Sequence, residues 1–141
     1  FPNDFVDNGD GTLTDRETGL MWGKECSSKL YQYHWAEKYI SGLNDKKLAG
    51  YNDWRIPTLE ELSSLLERGK NENGLHISPP FNDKLSLVLN LDLPKGMHYA
   101  ESCGSHLAID FKKGVITDVA TKYEAWCHTR KFYVKAVRTI R

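Results

Sequence analysis

The sequence predicts an α+β domain in which two helices pack on a twisted antiparallel sheet with long loops. Three observations carry this reading. Short alternating segments broken by Asp/Asn/Gly turns fill the N-terminal part, two stretches of helical apolar spacing follow, and period two returns near the C-terminus. Residues 1–141 are read as one domain, long enough for a real core. The composition, 40% hydrophobic and 27% charged, is that of an ordinary globular chain, and no stretch approaches a membrane-spanning helix. The sequence starts at Phe1 without methionine or a signal pattern, so the expectation is a mature chain or a domain excised from a longer one.

Residues 5–23 read as a three-stranded meander. Phe5-Val6 is apolar, Asp7-Asn8-Gly9-Asp10-Gly11 is turn chemistry, and Thr12-Leu13-Thr14 alternates. Asp15-Arg16-Glu17-Thr18-Gly19 makes a second turn, and Leu20-Met21-Trp22 is a buried strand. The first turn also invites a calcium reading. With Asp10-Gly11 at positions five and six of an EF-hand loop, Glu17 falls at position twelve, but Val6 occupies position one. The match is partial, and tight turns are the expectation.

Residues 33–44 place Trp35, Ala36, Tyr39, Ile40 and Leu43 on one helical face, with Lys38 and Asp45 outside it. Asn44 to Gly50 then loops into Gly50-Tyr51-Asn52-Asp53-Trp54-Arg55-Ile56-Pro57-Thr58-Leu59-Glu60-Glu61-Leu62, the stretch around which the chain is organised. Trp54 is an anchor. Pro57 disfavours helix at Ile56, so the chain arrives extended. Thr58 and Glu61 form a capping box: the Thr hydroxyl accepts the Glu61 amide and the Glu61 side chain reaches back. Leu59, Leu62, Leu65 and Leu66 repeat at helical spacing, with Gly69 as a left-handed stop. Such a segment ordinarily serves architecture.

Residues 69–80 are polar and rich in Gly, Asn and Pro, which predicts a surface loop; residues 85–93 are apolar but too irregular to assign. His98-Tyr99-Ala100-Glu101-Ser102 reads as a strand. Leu107, Ile109 and Phe111 alternate with Ala108 and Asp110, Lys112-Lys113-Gly114 turns, and residues 115–119 pair back. Residues 120–131 form a long aromatic and polar loop. Phe132, Val134 and Ala136 then alternate with Tyr133, Lys135 and Val137 in a closing strand.

The net charge is zero but uneven. Residues 112–141 hold Lys112, Lys113, Lys122, Arg130, Lys131, Lys135, Arg138 and Arg141 against Asp118 and Glu124, whereas the first seventeen residues hold Asp4, Asp7, Asp10, Asp15 and Glu17 against Arg16. Either the surface carries a polyanion-attracting side, or the two ends lie together and neutralise each other. Cys26, Cys103 and Cys127 form no Cys-x-x-Cys and have no His at zinc-ligand spacing. Two outcomes stay open: one disulfide of three pairings plus a thiol, or three reduced thiols.

Three blocks together resemble a known family. They are Phe5-Val6-Asp7-Asn8-Gly9-Asp10-Gly11-Thr12-Leu13-Thr14-Asp15 with Thr18-Gly19-Leu20-Met21-Trp22; Ala49-Gly50-Tyr51-Asn52-Asp53-Trp54-Arg55-Ile56-Pro57-Thr58 with Glu61-Leu62; and Tyr133-Val134-Lys135-Ala136-Val137-Arg138. The chain resembles, over nearly its whole length, the C-terminal domain family of the Legionella collagen-like adhesin. The resemblance implies a C-type-lectin-like fold. The Arg55-Ile56-Pro57-Thr58 block is also similar to that of the formylglycine-generating proteins, which share that fold. In the adhesin the domain binds sulfated glycosaminoglycans and helps form trimers. The sequence departs from the family at Ala136, where a Cys is usual, and at Ala100-Glu101-Ser102, where Trp-Ser-Ser is usual.

The functional expectation is a non-enzymatic recognition and adhesion module, secreted or at a bacterial surface or in the periplasm. Its partner is a glycan, a polyanion or a protein on another surface, with a homotrimer implied by the resemblance. The candidate binding residues are Lys122, Tyr123, Trp126, His128, Arg130 and Lys131. An aromatic ring offers a flat platform, and Arg and Lys pair with sulfate or carboxylate. The competing reading folds Tyr123 and Trp126 inward to pin the loop. An accessory sensor or protein-interaction domain of a larger protein is the alternative. Catalysis, cofactors, metals, nucleic acid and membrane insertion are not expected. A formylglycine-generating site needs a close cysteine pair or a metal with ligands, and His34, His76, His98, His106 and His128 form no ligand spacing, although His98 and His106 flank Cys103. A calcium-dependent sugar site needs Glu-Pro-Asn or Gln-Pro-Asp followed by Trp-Asn-Asp. Here Pro2-Asn3 lies at the wrong end and Asn52-Asp53-Trp54 has the wrong order.

Overall fold

A computed structural model describes residues 3–31, 33–70, 74–77, 81, 87–88, 90, 107–118 and 132–140, with the backbone alone for Tyr33, His34, Leu107 and Asp118. In chain order the elements are β1 (Phe5–Asp7), β2 (Thr12–Asp15), β3 (Leu20–Gly23), α1 (Tyr33–Asp45), a short 3-10 turn (Leu48–Gly50), α2 (Leu59–Ser63), β4 (Leu87–Val88), β5 (Leu107–Asp110), β6 (Val115–Asp118) and β7 (Val137–Thr139). The α+β class is as expected. Among the described residues, however, the strands form two antiparallel sheets, ordered β1-β2-β3-β7 and β4-β5-β6 and linked by a Val88–Tyr133 bridge, where the sequence predicted one. The meander has the expected pairing, with Leu13 opposite Trp22, and the Lys112-Lys113-Gly114 turn closes β5 onto β6.

Two buried cores lie on opposite faces of these strands. Leu13, Trp22, Leu62, Leu65, Phe81, Val88, Ile109, Phe111 and Val137 fill the first; Met21, Ala36, Ile40, Trp54, Ile56, Ala108, Phe132, Val134 and Ala136 fill the second. Strands β3 and β5 send alternate residues into each core, since neighbouring side chains on a strand point to opposite faces. Helix α2 packs on the first core through Leu62, and α1 on the second through Ala36 and Ile40.

This arrangement corrects several expectations. The closing segment does not alternate between core and solvent: Phe132, Val134, Lys135, Ala136, Val137 and Arg138 are all buried, because the segment passes between the cores. The Lys135 ammonium lies 4.1 Å from the centre of the Phe81 ring. Helix α2 stops at Ser63 rather than near Gly69, as the Ser63 and Ser64 hydroxyls donate to the Glu60 and Glu61 carbonyls at 2.6 and 2.7 Å. The chain then bridges Leu66 to Ile77, so the expected surface loop tucks Leu75 and Ile77 into the first core. Trp35, expected on the inner face of α1, is 53% exposed, because Ala36 and Ile40 occupy that face. The strand expected at residues 98–102 lies outside the described residues.

The organising stretch is tied down as its sequence predicts. The Thr58 hydroxyl accepts the Glu61 amide at 3.1 Å, and Glu61 accepts the Thr58 amide at 2.9 Å. Trp54 is buried, and its indole donates to the Leu48 carbonyl at 3.1 Å. Asn44 brackets it, accepting the Trp54 amide at 2.8 Å and donating to its carbonyl at 3.0 Å. Arg55 and Val137 exchange both backbone hydrogen bonds. Two forked ion pairs flank that bridge, Arg55 on Glu61 and Arg138 on Asp53, and the Arg138 guanidinium also stacks 3.7 Å above the Tyr51 ring. Arg55 holds the Glu61 carboxyl below the usual range against the effect of burial. The N-terminal acids are answered nearby, Asp4 by Arg16 and Asp7 by Lys24, although the two ends of the chain share one sheet.

Candidate functional site

The predicted binding residues Lys122, Tyr123, Trp126, His128, Arg130 and Lys131 lie outside the described residues, as do Cys103, Cys127, His98, His106 and His128. What the structure fixes is the two ends of that segment. Strand β6 is paired along its length with β5, and Phe132 is bridged to Tyr31.

Among the described residues, the candidate site is a cleft of about 340 Å³ lined by Gly11, Gly23, Lys24, Glu25, Cys26, Tyr39, Leu43, Leu48 and Ala136. Its rear wall follows from the meander. The Lys24 amide donates to the Gly11 carbonyl and the Gly23 amide to the Ala136 carbonyl, both at 2.9 Å. The wall is little more than backbone: Gly23 packs against Ala136 and the Glu25 carbonyl, while a Cβ at Gly11 would meet nothing within 4 Å. Tyr39 and Leu43 come from consecutive turns of α1, four residues apart on one side of the helix.

Leu48 completes the floor from an unusual backbone. Lys47 and Ala49, on either side of it, have φ of 52° and 54°. The left-handed region is costly for residues with a Cβ, so two such residues in one tight turn store strain. The Trp54 indole bond to the Leu48 carbonyl holds the turn in place.

At the mouth, the Lys24 ammonium pairs with Asp7 at 2.8 Å, and Glu25 is exposed. Lys24, and then the Gly9 amide, hold the Asp7 carboxyl below its ordinary range. The charged lining is therefore one cation, already paired with Asp7 outside the lining, and one carboxylate. Aromatic rings lie nearby, Tyr31 just before α1 and Trp35 and Tyr39 on it. The Tyr31 and Tyr39 rings lie 5.5 Å apart at 35°, and Trp35 sits one helical turn before Tyr39 with Lys38 4.7 Å over its ring.

The turns that suggested calcium use their carboxylates internally. Asp7 accepts the Gly9 amide at 2.9 Å, and Asp10 accepts the Thr12 amide at 3.2 Å. Among the described residues no group of three or more His, Cys, Asp or Glu is placed to hold a metal ion. His76 Nδ1 lies 2.9 Å from the Arg68 carbonyl, and Asp53 of Asn52-Asp53-Trp54 pairs with Arg138.

Sequence reasoning missed the cleft, because its lining comes from separate elements; Gly11 and Ala136 fall in the family-like blocks, but nothing in those blocks marks them as a wall. The one signal was Trp35 with Tyr39 at i and i+4, which helical spacing assigned to the core. The model of the Lcl C-terminal domain family matches residues 11–138. No curated protein and no solved structure matches the chain.

Proposed function

The chain belongs to the Lcl C-terminal domain family, and from that premise we propose that it is a non-enzymatic recognition module displayed outside the cell or in the periplasm. Its ligand is a glycan or polyanion on another surface. The scaffold is read as C-type-lectin-like, and the working form as a homotrimer. The single observation that supports a polyanion is the composition of residues 112–131, where Lys112, Lys113, Lys122, Arg130 and Lys131 stand against Asp118 and Glu124 and share one stretch with the rings of Tyr123 and Trp126; Lys135 and Arg138, further on, are buried and add nothing to it. Lys122, Tyr123, Trp126, His128, Arg130 and Lys131 form its contact set, carried between two anchored points, β6 and Phe132. Recognition groups on a connecting segment of a rigid sheet are a common arrangement.

Chromatography on immobilised heparin tests this reading. Retention is expected to weaken as salt shortens the Debye length, and to fall in an Arg130→Ala plus Lys131→Ala variant of unchanged melting temperature. Unchanged retention in that variant removes the polyanion.

A further inference from the structure

We propose that the cleft beside α1 is a separate binding site for a neutral saccharide, one hexose or N-acetylhexosamine ring seated over Tyr39 and Leu48. The site rests on the reading of the chain as a recognition module, but not on its polyanion ligand. Three features favour this occupant.

The first is shape. About 340 Å³ lies within the range of small-molecule sites, and the side at Gly11 is open, since a Cβ there would meet nothing within 4 Å. The second is polarity. A pyranose has one apolar C–H face and a rim of hydroxyls. Leu43, Leu48 and the Tyr39 ring, all partly exposed, offer the apolar surface, while Lys24 and Glu25 in the lining offer a donor and an acceptor for the rim. The third is charge. The Lys24 cation is already answered by Asp7 at 2.8 Å, and Glu25 adds a second carboxylate, so the mouth holds no excess positive charge for a sulfate or uronate. A neutral polyol meets none of that repulsion.

Two more observations fit. Trp35 is 53% exposed one helical turn from the cleft, where a second ring of the same chain would lie. A large exposed aromatic beside a cavity is a recurrent feature of recognition surfaces. The strained turn at Lys47 and Ala49 fixes Leu48 as the floor, and backbone strain of this kind clusters at binding sites.

The test is a calorimetric titration of the whole chain with N-acetylglucosamine, its β-1,4 dimer, lactose and glucuronic acid. At least one neutral sugar is expected to bind, with an affinity unchanged between about 0.05 and about 0.5 M salt, where the Debye length shortens several-fold. Tyr39→Ala is expected to weaken that binding about tenfold or more, a loss of about 1.4 kcal/mol. Because Tyr39 also packs against the second core, Trp35→Ala is the companion variant. Its side chain is exposed, its melting temperature should hold, and it should weaken the dimer more than the monomer. The Arg130→Ala plus Lys131→Ala variant should bind the neutral sugar as the parent does, so loss of heparin retention with sugar binding intact supports this site while the polyanion reading is judged apart. Failure of every neutral sugar to bind overturns the proposal. So does tighter, salt-sensitive binding of glucuronic acid, or neutral-sugar binding unchanged in both aromatic variants.

Discussion

Two hairpins in this chain are closed by the same local pattern, Asp-x-x-x-Gly, yet each depends on a different residue. In the β2–β3 turn the Gly19 amide donates to the Asp15 carbonyl at 3.0 Å, and in the β5–β6 turn the Gly114 amide donates to the Asp110 carbonyl at 2.8 Å. Both glycines are left-handed, with φ of 70° and 72°. Both carboxylates accept the amide two residues on, Glu17 at 3.0 Å and Lys112 at 2.9 Å. The surroundings differ. Asp15 is fully buried and also accepts the Asp4 amide, the Asn3 amide group and the Thr18 hydroxyl. Asp110 is half-buried and adds the Lys113 amide at 3.2 Å. In compensation, the second turn drops Phe111 into the first core and sets Gly114 against the His76 ring. Turn chemistry fixes the path of the chain in both; tertiary setting decides which side chain the stability rests on.

The largest effect should come from Asp15. Replacing it with Ala leaves four partly buried donors, the Asp4 and Glu17 amides, the Asn3 amide group and the Thr18 hydroxyl, without their shared acceptor, so a total loss of about 3 kcal/mol is expected. For a domain of this size that lowers the melting temperature by roughly 10 °C. Asp110→Ala should cost about 1 kcal/mol, since its accepted amides face water. Equal losses would break the comparison. The pH dependence sharpens it. Burial pushes the Asp15 carboxyl up, but hydrogen bonds from the Asp4 amide, Asn3, Thr18 and the Glu17 amide outweigh burial and hold it below its ordinary range. A carboxyl depressed in the folded state stabilises above its unfolded pKa, near ~3.9. That stability is lost as pH falls through the folded value. Urea titrations below about pH 5 should therefore show a steeper loss in the parent than in Asp15→Asn.

Gly114→Ala comes next, at about 2 kcal/mol in chemical denaturation. A Cβ there would stand 2.6 Å from Cγ of His76, and the backbone is left-handed besides. The ring cannot simply swing away, because Nδ1 is held at the Arg68 carbonyl and the His76 amide donates to the Phe111 carbonyl at 2.8 Å. In a His76→Ala background the same substitution should cost about 1 kcal/mol, the strain alone, and a double-mutant cycle reads the difference. A cycle showing no coupling would mean that the ring does not back the turn.

These turns also show what the sequence could and could not reveal. Asp15 to Gly19, Lys112-Lys113-Gly114 and the Thr58–Glu61 box were legible because each is decided by residues within five positions of one another. The two cores were not. They depend on β3 pairing with β7, whose Met21 and Arg138 are far apart in the chain. Lys135 sat where an alternating strand expects a solvent-facing residue, but the segment has a core on each side. Trp35 failed for a smaller reason. One position along a helix is a rotation of about 100°, enough to exchange the core face occupied by Ala36 for solvent. The cleft was illegible because its walls are contributed by β3, α1, the 3-10 turn and Ala136, which meet only in the fold.

The smallest effect, and the cleanest reading of the shared pattern, belongs to Gly19. Its φ of 70° nearly equals that of Gly114, but a Cβ built there meets nothing within 4 Å. Gly19→Ala therefore carries the left-handed strain without a clash, and a loss of about 1 kcal/mol is expected. Part of even that is offset, because alanine narrows the unfolded ensemble. Asn tolerates the left-handed region better than Ala, so Gly19→Asn should recover a fraction of the loss, while Gly114→Asn should recover none because its side chain still meets His76. If Gly19→Ala instead proves as damaging as Gly114→Ala, the difference assigned to His76 disappears, and backbone conformation alone would account for both turns.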